Sequence, residues 1–276
     1  MHILNWIQRG SLLAVGCAIV GCGGGGGGGN GSSSDPLYIL YREGGQTRLA
    51  TVSRTSAGAI TPIGSLGTGT DVVNSLDLRP ETGQLYAYNQ TTNELLVVDK
   101  VTGDASVVGS NSATILGDVS IEFDPVADNV RMITTFEDNV RLSASTGAVL
   151  GVDSDLSPVG TLTDIAYSNN TSASSQTTLY GIDSEFNELV RIGGANGNPS
   201  VGAGAVSIVG ALGVGTVNPQ VAYFDIDADG SAWMVESNLT GAVYVNRLYR
   251  INLNTGAATL VGTINSDDPI FGLAAG

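Results

Sequence analysis

Histidine and cysteine are almost missing from this 276-residue sequence. The one histidine is His2, and both cysteines, Cys17 and Cys22, lie near the N-terminus. If that end is a targeting segment, the folded part has neither side chain. Ser-His-Asp and Cys-His catalysis, zinc sites and disulfides are then excluded. Positive charge is also scarce: 11 Lys and Arg stand against 26 Asp and Glu, a formal charge of −15. That balance argues against a nucleic-acid partner, which needs clustered Lys and Arg. Charged residues make up 13%, about half the usual ~25%. No segment sustains a helical apolar period over ten residues or more. What the chain does have is glycine, 39 residues of it. A Gly-rich, charge-poor, moderately apolar chain reads as many short strands joined by tight turns.

Residues 1–21 have the layout of an export signal. Arg9 and the free amine supply positive charge, Ser11 to Val20 form a short apolar stretch, and small residues follow. The stretch is shorter than the ~20 apolar residues that span a bilayer. Ile19-Val20-Gly21-Cys22 resembles the lipobox of bacterial lipoproteins. That resemblance implies cleavage before Cys22 and lipidation of its thiol, and Gly23 in place of Asp implies the outer membrane of the cell envelope. A plain secretory signal is the alternative. Residues 22–36 then form a tether: Gly23 to Gly29 are all glycine, followed by Asn30-Gly31-Ser32-Ser33-Ser34. Such a segment buries no apolar surface and reaches roughly 20 Å in the mean. The expected partner is a membrane, through the lipid, together with an unidentified extracytoplasmic ligand or protein.

From Leu37 to Gly276 the chain repeats itself about every 45 to 55 residues, which decides the fold. Leu95-Leu96-Val97-Val98-Asp99-Lys100-Val101-Thr102-Gly103-Asp104-Ala105-Ser106-Val107-Val108-Gly109 matches Leu248-Tyr249-Arg250-Ile251-Asn252-Leu253-Asn254-Thr255-Gly256-Ala257-Ala258-Thr259-Leu260-Val261-Gly262. Weaker copies turn at Gly58, Gly147 and Gly197. Before each copy lies another strand, such as Gln84-Leu85-Tyr86-Ala87-Tyr88 or Ala232-Trp233-Met234-Val235. Before that lies a first strand: Ser75-Leu76-Asp77-Leu78, Ser120-Ile121-Glu122-Phe123, Asp164-Ile165-Ala166-Tyr167 and Tyr223-Phe224-Asp225-Ile226. The first unit, Leu37 to Gly67, lacks this strand, and Ile270-Phe271-Gly272-Leu273-Ala274 supplies a spare one at the C-terminus. The expectation is an all-β fold: a β-propeller of five four-stranded blades, closed when the C-terminal strand joins the N-terminal blade. A β-sandwich or solenoid is the alternative.

The segments Asp77-Leu78-Arg79-Pro80-Glu81-Thr82-Gly83-Gln84-Leu85-Tyr86-Ala87 and Phe123-Asp124-Pro125-Val126-Ala127-Asp128-Asn129-Val130-Arg131 resemble a bacterial family catalogued as domain of unknown function 4394. Ala166-Tyr167-Ser168-Asn169-Asn170 and Thr255-Gly256-Ala257-Ala258-Thr259-Leu260-Val261-Gly262 extend the resemblance over about residues 71–276. The resemblance implies a propeller-like repeat and supplies no catalytic residues.

Asp77, Glu122 and Asp225 occupy matching places in three first strands, where a propeller lines its central channel. Ala166 and the Gly272 region carry no acid there. A converging carboxylate pair suits glycoside cleavage. The plainer role, accepting backbone N–H bonds or pairing with Arg79 and Arg131, is favoured. Asp71, Asn74, Asp118, Asn218, Gln220, Asp267 and Asp268 fall in the loops between units, with Asp138, Glu185 and Glu236 nearby. They are expected to form an acidic rim for a cation or polyhydroxyl ligand, or else ordinary solvated turns. Tyr41, Tyr86, Tyr88, Tyr180, Tyr249 and Trp233 read as core.

Asp225-Ile226-Asp227-Ala228-Asp229-Gly230, with Glu236 beyond, matches the calcium-loop pattern letter for letter. Its strand surroundings put Glu236 out of reach. They leave a partial calcium site of Asp225, Asp227, Asp229, a carbonyl near Ser231 and water, or simply an Asp-Gly hairpin turn. No other cofactor is expected. The function expected is non-catalytic ligand or protein binding at the envelope, with a carboxylate-dependent glycoside hydrolase or lyase as the alternative.

Overall fold

The computed structural model describes residues 36–111, 115–214 and 222–276. The export signal, Cys22, most of the tether, Asn218 and Gln220 lie outside the described residues. Apolar residues alternate with polar ones, and glycines, asparagines and aspartates interrupt them every few residues, so the chain folds as short antiparallel strands. Among the described residues the only helices are two 3₁₀ turns, Ala195–Gly197 and Val201–Ala203. They sit in the connection expected to turn simply at Gly197. An inserted stretch with Gly193, Gly194 and Pro199 replaces the two-strand turn there.

The strands gather in groups of four. β1 (Leu37–Glu43), β2 (Gln46–Ser53) and β3 (Ala57–Ser65) form one meander. β4 (Val73–Leu78), β5 (Leu85–Asn89), β6 (Glu94–Val98) and β7 (Ala105–Ser110) form the next. β8 (Val119–Asp124), β9 (Asn129–Thr134), β10 (Asn139–Ser143) and β11 (Val149–Val152) follow. Then come β12 (Leu162–Tyr167), β13 (Leu179–Asp183), β14 (Glu188–Ile192) and β15 (Val206–Ala211). The last meander is β16 (Ala222–Ile226), β17 (Ala232–Thr240), β18 (Val243–Ile251) and β19 (Ala258–Asn265). β20 (Ile270–Ala275) returns to pair antiparallel with β1, with Leu37 opposite Ala275 and Tyr41 opposite Ile270. The spare C-terminal strand thus completes the N-terminal sheet. A short parallel bridge, Ile264 to Gly58 and Asn265 to Ala59, links β19 to β3, so the first and last meanders form one eight-stranded sheet.

The first strands of the meanders lie side by side: β4 against β8 and β20, β12 against β8 and β16, and β16 against β20. Apolar clusters fill the gaps between neighbouring sheets. Tyr86, Tyr88 and Leu95 meet Ile121, Phe123 and Met132 in one gap, and Leu37, Ile39 and Val52 meet Trp233, Val235 and Leu248 in another. Tyr41, Tyr86, Tyr88, Tyr249 and Trp233 are buried as expected, whereas Tyr180 is half-buried.

The repeated Thr-Gly and Val-Gly pairs have a packing role. Gly64 meets the carbonyl of Thr102, Gly109 that of Thr146, and Gly210 that of Thr255. In each case the glycine of an outer strand receives the Thr-Gly turn of the following sheet. Gly262 meets Ser56 in the first sheet in the same way.

Candidate functional site

The first strands carry matching tripeptides, Ser75-Leu76-Asp77, Ser120-Ile121-Glu122, Asp164-Ile165-Ala166, Tyr223-Phe224-Asp225 and Gly272-Leu273-Ala274. They form two tiers that bind β4 to β8, β8 to β12, β12 to β16 and β16 to β20. In the upper tier, Ser75 Oγ accepts from Ile121 N at 2.7 Å, Ser120 Oγ from Ile165 N at 3.3 Å, and Asp164 Oδ2 from Phe224 N at 2.8 Å. In the lower tier, Asp77 Oδ2 accepts from Phe123 N at 2.6 Å, Glu122 Oε1 from Tyr167 N at 2.9 Å, and Asp225 Oδ2 from Ala275 N at 2.6 Å. Edge N–H groups that would otherwise be orphaned inside the fold are satisfied this way. The favoured role of Asp77, Glu122 and Asp225, accepting backbone N–H bonds, is what these contacts display. The arginine half of that expectation is corrected: Arg79 pairs with Asp128, and Arg131 reaches Asp153 at 2.5 Å.

Asp77, Glu122 and Asp225 also converge, each offering an oxygen within 4.8 Å of the others. Asp164, which sequence reasoning passed over, stands one tier above and accepts from the Ser120 hydroxyl. All four are at most 4% exposed. Burial pushes Asp77 and Asp164 up to about 7. Burial, then the charges of Asp77 and Asp225, raises Glu122 well above the usual carboxylate range. Burial, then Asp77, does the same to Asp225.

A separate cavity of about 310 Å³ opens where the first strands begin. Every first strand contributes to its lining: Asn74 from β4, Val119 from β8, Thr163 from β12, Tyr223 from β16 and Phe271 from β20. Arg42 stacks over the Phe271 ring at 5.5 Å and donates to the Asp71 carbonyl at 3.1 Å. Asn74 Nδ2 is committed to Gln90 at 3.0 Å, while its Oδ1 is buried without a partner. Composition gave no hint of Arg42 or Phe271, because their meeting requires β20 to lie beside β1.

Of the expected acidic rim, Asp118 and Asn74 line this cavity. Asp71 accepts from Asn89 at 2.9 Å, behind Arg42. Asp267 lines a shallower groove beside Tyr244, and the Asp268 carbonyl accepts from Asn246 at 3.0 Å. Asp138 accepts from Thr134 at 2.8 Å and Glu185 lies 3.5 Å from the Thr161 hydroxyl. Glu236 is buried and accepts from Tyr249 at 2.9 Å, so it faces the sheet interior.

The three acids expected to share calcium are divided. Asp225 points to Asp77 and Glu122. Asp227 forms a buried ion pair with Arg54 and accepts from Trp233 Nε1 at 3.2 Å and Ser231 N at 2.9 Å. Asp229 accepts from Ser231 N at 2.8 Å. The turn side chains therefore serve the hairpin and the contact with Arg54, which also holds the Gly276 carbonyl.

The family described as Domain of unknown function (DUF4394) matches residues 46–274. No curated protein matches the sequence. Among solved structures, a structural genomics protein of unknown function from Bacteroides thetaiotaomicron VPI-5482 is similar at 15% identity and a TM-score of 0.53. The match covers 81% of this chain and 54% of that one, so this chain spans about half its length. A chain of the nidogen/laminin complex is similar at 9% identity and a TM-score of 0.51, over 86% of this chain and 97% of that one. TolB from Acinetobacter baumannii aligns at 12% identity and a TM-score of 0.49, over 87% of this chain and 66% of that one. The first two likenesses show the fold alone. The architecture is thus all-β and propeller-like, built from four-stranded sheets.

Proposed function

We propose that this chain, which belongs to the domain of unknown function 4394 family, is a non-catalytic binding module of the cell envelope. Its sheets form five blades in a closed ring, and a lipid on Cys22 ties it to a membrane, expected to be the outer one. The pairing of β20 with β1 and the run of contacts between first strands support the ring.

One observation carries the binding role: a single cavity draws a residue from every first strand. Its lining offers an aromatic face (Phe271, Tyr223), hydroxyls (Thr135, Thr163), the stacked Arg42, and the free acceptor of Asn74. This mixture suits a small polyhydroxyl or peptide-like ligand with one apolar face. A carboxylate hydrolase is the weaker reading. It needs two acids flanking the scissile bond, and Asp118 is the one carboxylate among the cavity's lining residues. The central acids are buried and already hold backbone N–H groups.

The strand directions orient the cavity. β1 begins at Leu37, opposite Ala275, and ends beside Arg42 at the cavity. Leu37 therefore lies at the end of β1 remote from the cavity.

The test is a calorimetric and NMR screen of soluble glycans and short peptides against the full chain. Thr163→Trp, which fills the cavity, serves as the control. Binding that Thr163→Trp abolishes, without turnover of the ligand, supports the reading. Binding that survives Thr163→Trp, or hydrolysis of the ligand, overturns it.

A further inference from the structure

We propose that Asp77, Glu122 and Asp225 hold a calcium ion at the centre of the fold. Three strands from three different sheets bring these side chains together. Their oxygens lie within 4.8 Å of one another. Oxygens on a calcium ion sit 2.3–2.6 Å from it, so this spread fits one coordination sphere.

Acids alone do not make a site, and here a second observation points to a ligand. Asp77 is wholly buried, and its Oδ1 has no hydrogen-bond partner, although its Oδ2 is taken by Phe123 N. The group beside Asp77 is the Glu122 carboxyl, which can donate to Asp77 only when protonated and is an acceptor when ionised. None of the ion pairs among the described residues involves Asp77, Glu122 or Asp225. Three converging buried carboxylates with no counter-charge are costly to ionise together, and a cation removes that cost.

The carboxylates are also held in place before any ion arrives. Tyr167 N fixes one oxygen of Glu122, and Ala275 N fixes one of Asp225. Asp225 Oδ1 accepts in addition from Ile226 N at 2.6 Å. The donor set is oxygen throughout, which selects a hard cation over zinc or copper. Calcium fits better than magnesium, because magnesium keeps several of its waters and demands a near-ideal octahedron. This assignment moves calcium from the Asp227–Asp229 turn, whose carboxylates already serve Arg54 and the hairpin, to the centre. It is independent of the ligand cavity and stands or falls separately. The competing occupant is a proton shared between Asp77 and Glu122.

The experiment uses the full chain, unfolded and refolded either with chelator or with 1 mM Ca²⁺. Elemental analysis and thermal melting are the readouts. Expected are stoichiometric calcium and a melting temperature higher in Ca²⁺ by on the order of 5–10 °C. Asp77→Asn, which keeps the acceptor for Phe123 N, is expected to lose both the metal and the rise. Asp229→Asn is expected to keep both. Should Asp77→Asn fail to fold, Glu122→Gln and the wild-type metal content decide in its place. Wild-type protein without calcium that melts identically in chelator and in Ca²⁺ overturns the proposal and leaves the shared proton. A rise that survives Asp77→Asn but vanishes in Asp229→Asn overturns it in favour of the turn.

Discussion

Replacing Gly109 with alanine tests the packing between sheets most directly. Gly109 is not in the left-handed region, so alanine meets no backbone strain there. The obstacle is a neighbour: an added Cβ falls 2.0 Å from the Thr146 carbonyl oxygen and 2.8 Å from its carbon. An ordinary contact begins at 3.4 Å, so the Thr146-Gly147 turn has to retreat by more than an ångström. Backbone cannot swing aside as a side chain does. Gly147 is pinned from its own side, because a Cβ there would fall 2.7 Å from the Gly109 oxygen. Overpacking of this kind costs about 1–3 kcal/mol, with the upper end expected against backbone. Alanine recovers about 0.4–1 kcal/mol by restricting the unfolded chain. The net loss is about 2 kcal/mol, a fall of about 4–8 °C in melting temperature for a domain of this size. Calorimetry of Gly109→Ala measures it, with Gly67→Ala as the comparison. Gly67 has φ +74° and open space, so alanine there meets only left-handed strain of about 1–2 kcal/mol. Gly64→Ala and Gly210→Ala face carbonyl oxygens at 1.9 and 2.2 Å and should behave like Gly109→Ala. If all three melt within about a degree of the parent, the turns do not seat on these glycines and the reasoning fails.

Three further outcomes are expected. Deleting residues 269–276 removes β20, exposes the edge of β1 and takes away the Ala275 N–H that Asp225 holds. The product should aggregate or lose its cooperative melt, and a truncated chain that melts like the parent refutes the pairing. Asp164 titrates near 7 when folded, because of burial, and at 3.8 when exposed. Its folded pKa is the higher, so its contribution is complete below about pH 4 and is lost as pH rises through about 7. In chelator, melts from pH 4 to 8 should fall with pH, and Asp164→Asn should flatten the fall; a stability that climbs from pH 5 to 8 contradicts this. Cys22→Ser should move the protein from the membrane to the soluble envelope fraction on cell fractionation, because a lipid chain contributes about 0.8 kcal/mol per buried CH₂. An unchanged membrane fraction, with no mass difference between the two proteins, rejects the anchor.

Local patterns in the sequence were enough to identify the strands and the repeat. Two short runs of Leu and Val around a Thr-Gly turn can be seen in Leu95 to Gly109 without knowing any contact, because pleat and turn chemistry act over a few residues. The missing first strand and its replacement at Ile270 to Ala274 could be read the same way, since both are counts of elements along the chain. So could the inward placement of Asp77, Glu122 and Asp225, which follows from matching positions in equivalent strands.

What each carboxylate touches was decided by tertiary structure. Asp225, Asp227 and Asp229 form an unbroken calcium-loop spelling, yet β16 ends at Ile226, so Asp225 belongs to the strand while Asp227 and Asp229 belong to the hairpin turn. Asp225 therefore joins acids 148 and 103 positions earlier in the chain, Asp77 and Glu122, while Asp227 meets Arg54. Asp164 escaped notice because it sits a tier above Ala166, and its tie to Phe224 exists only once β12 and β16 lie side by side. Arg42, Tyr223 and Phe271 are scattered over the chain and meet because the starts of all the first strands are drawn to one end. Periodicity reports which way a side chain points from its own strand; its partner depends on which strands the packing brings together, and those lie too far apart in sequence to leave a local mark.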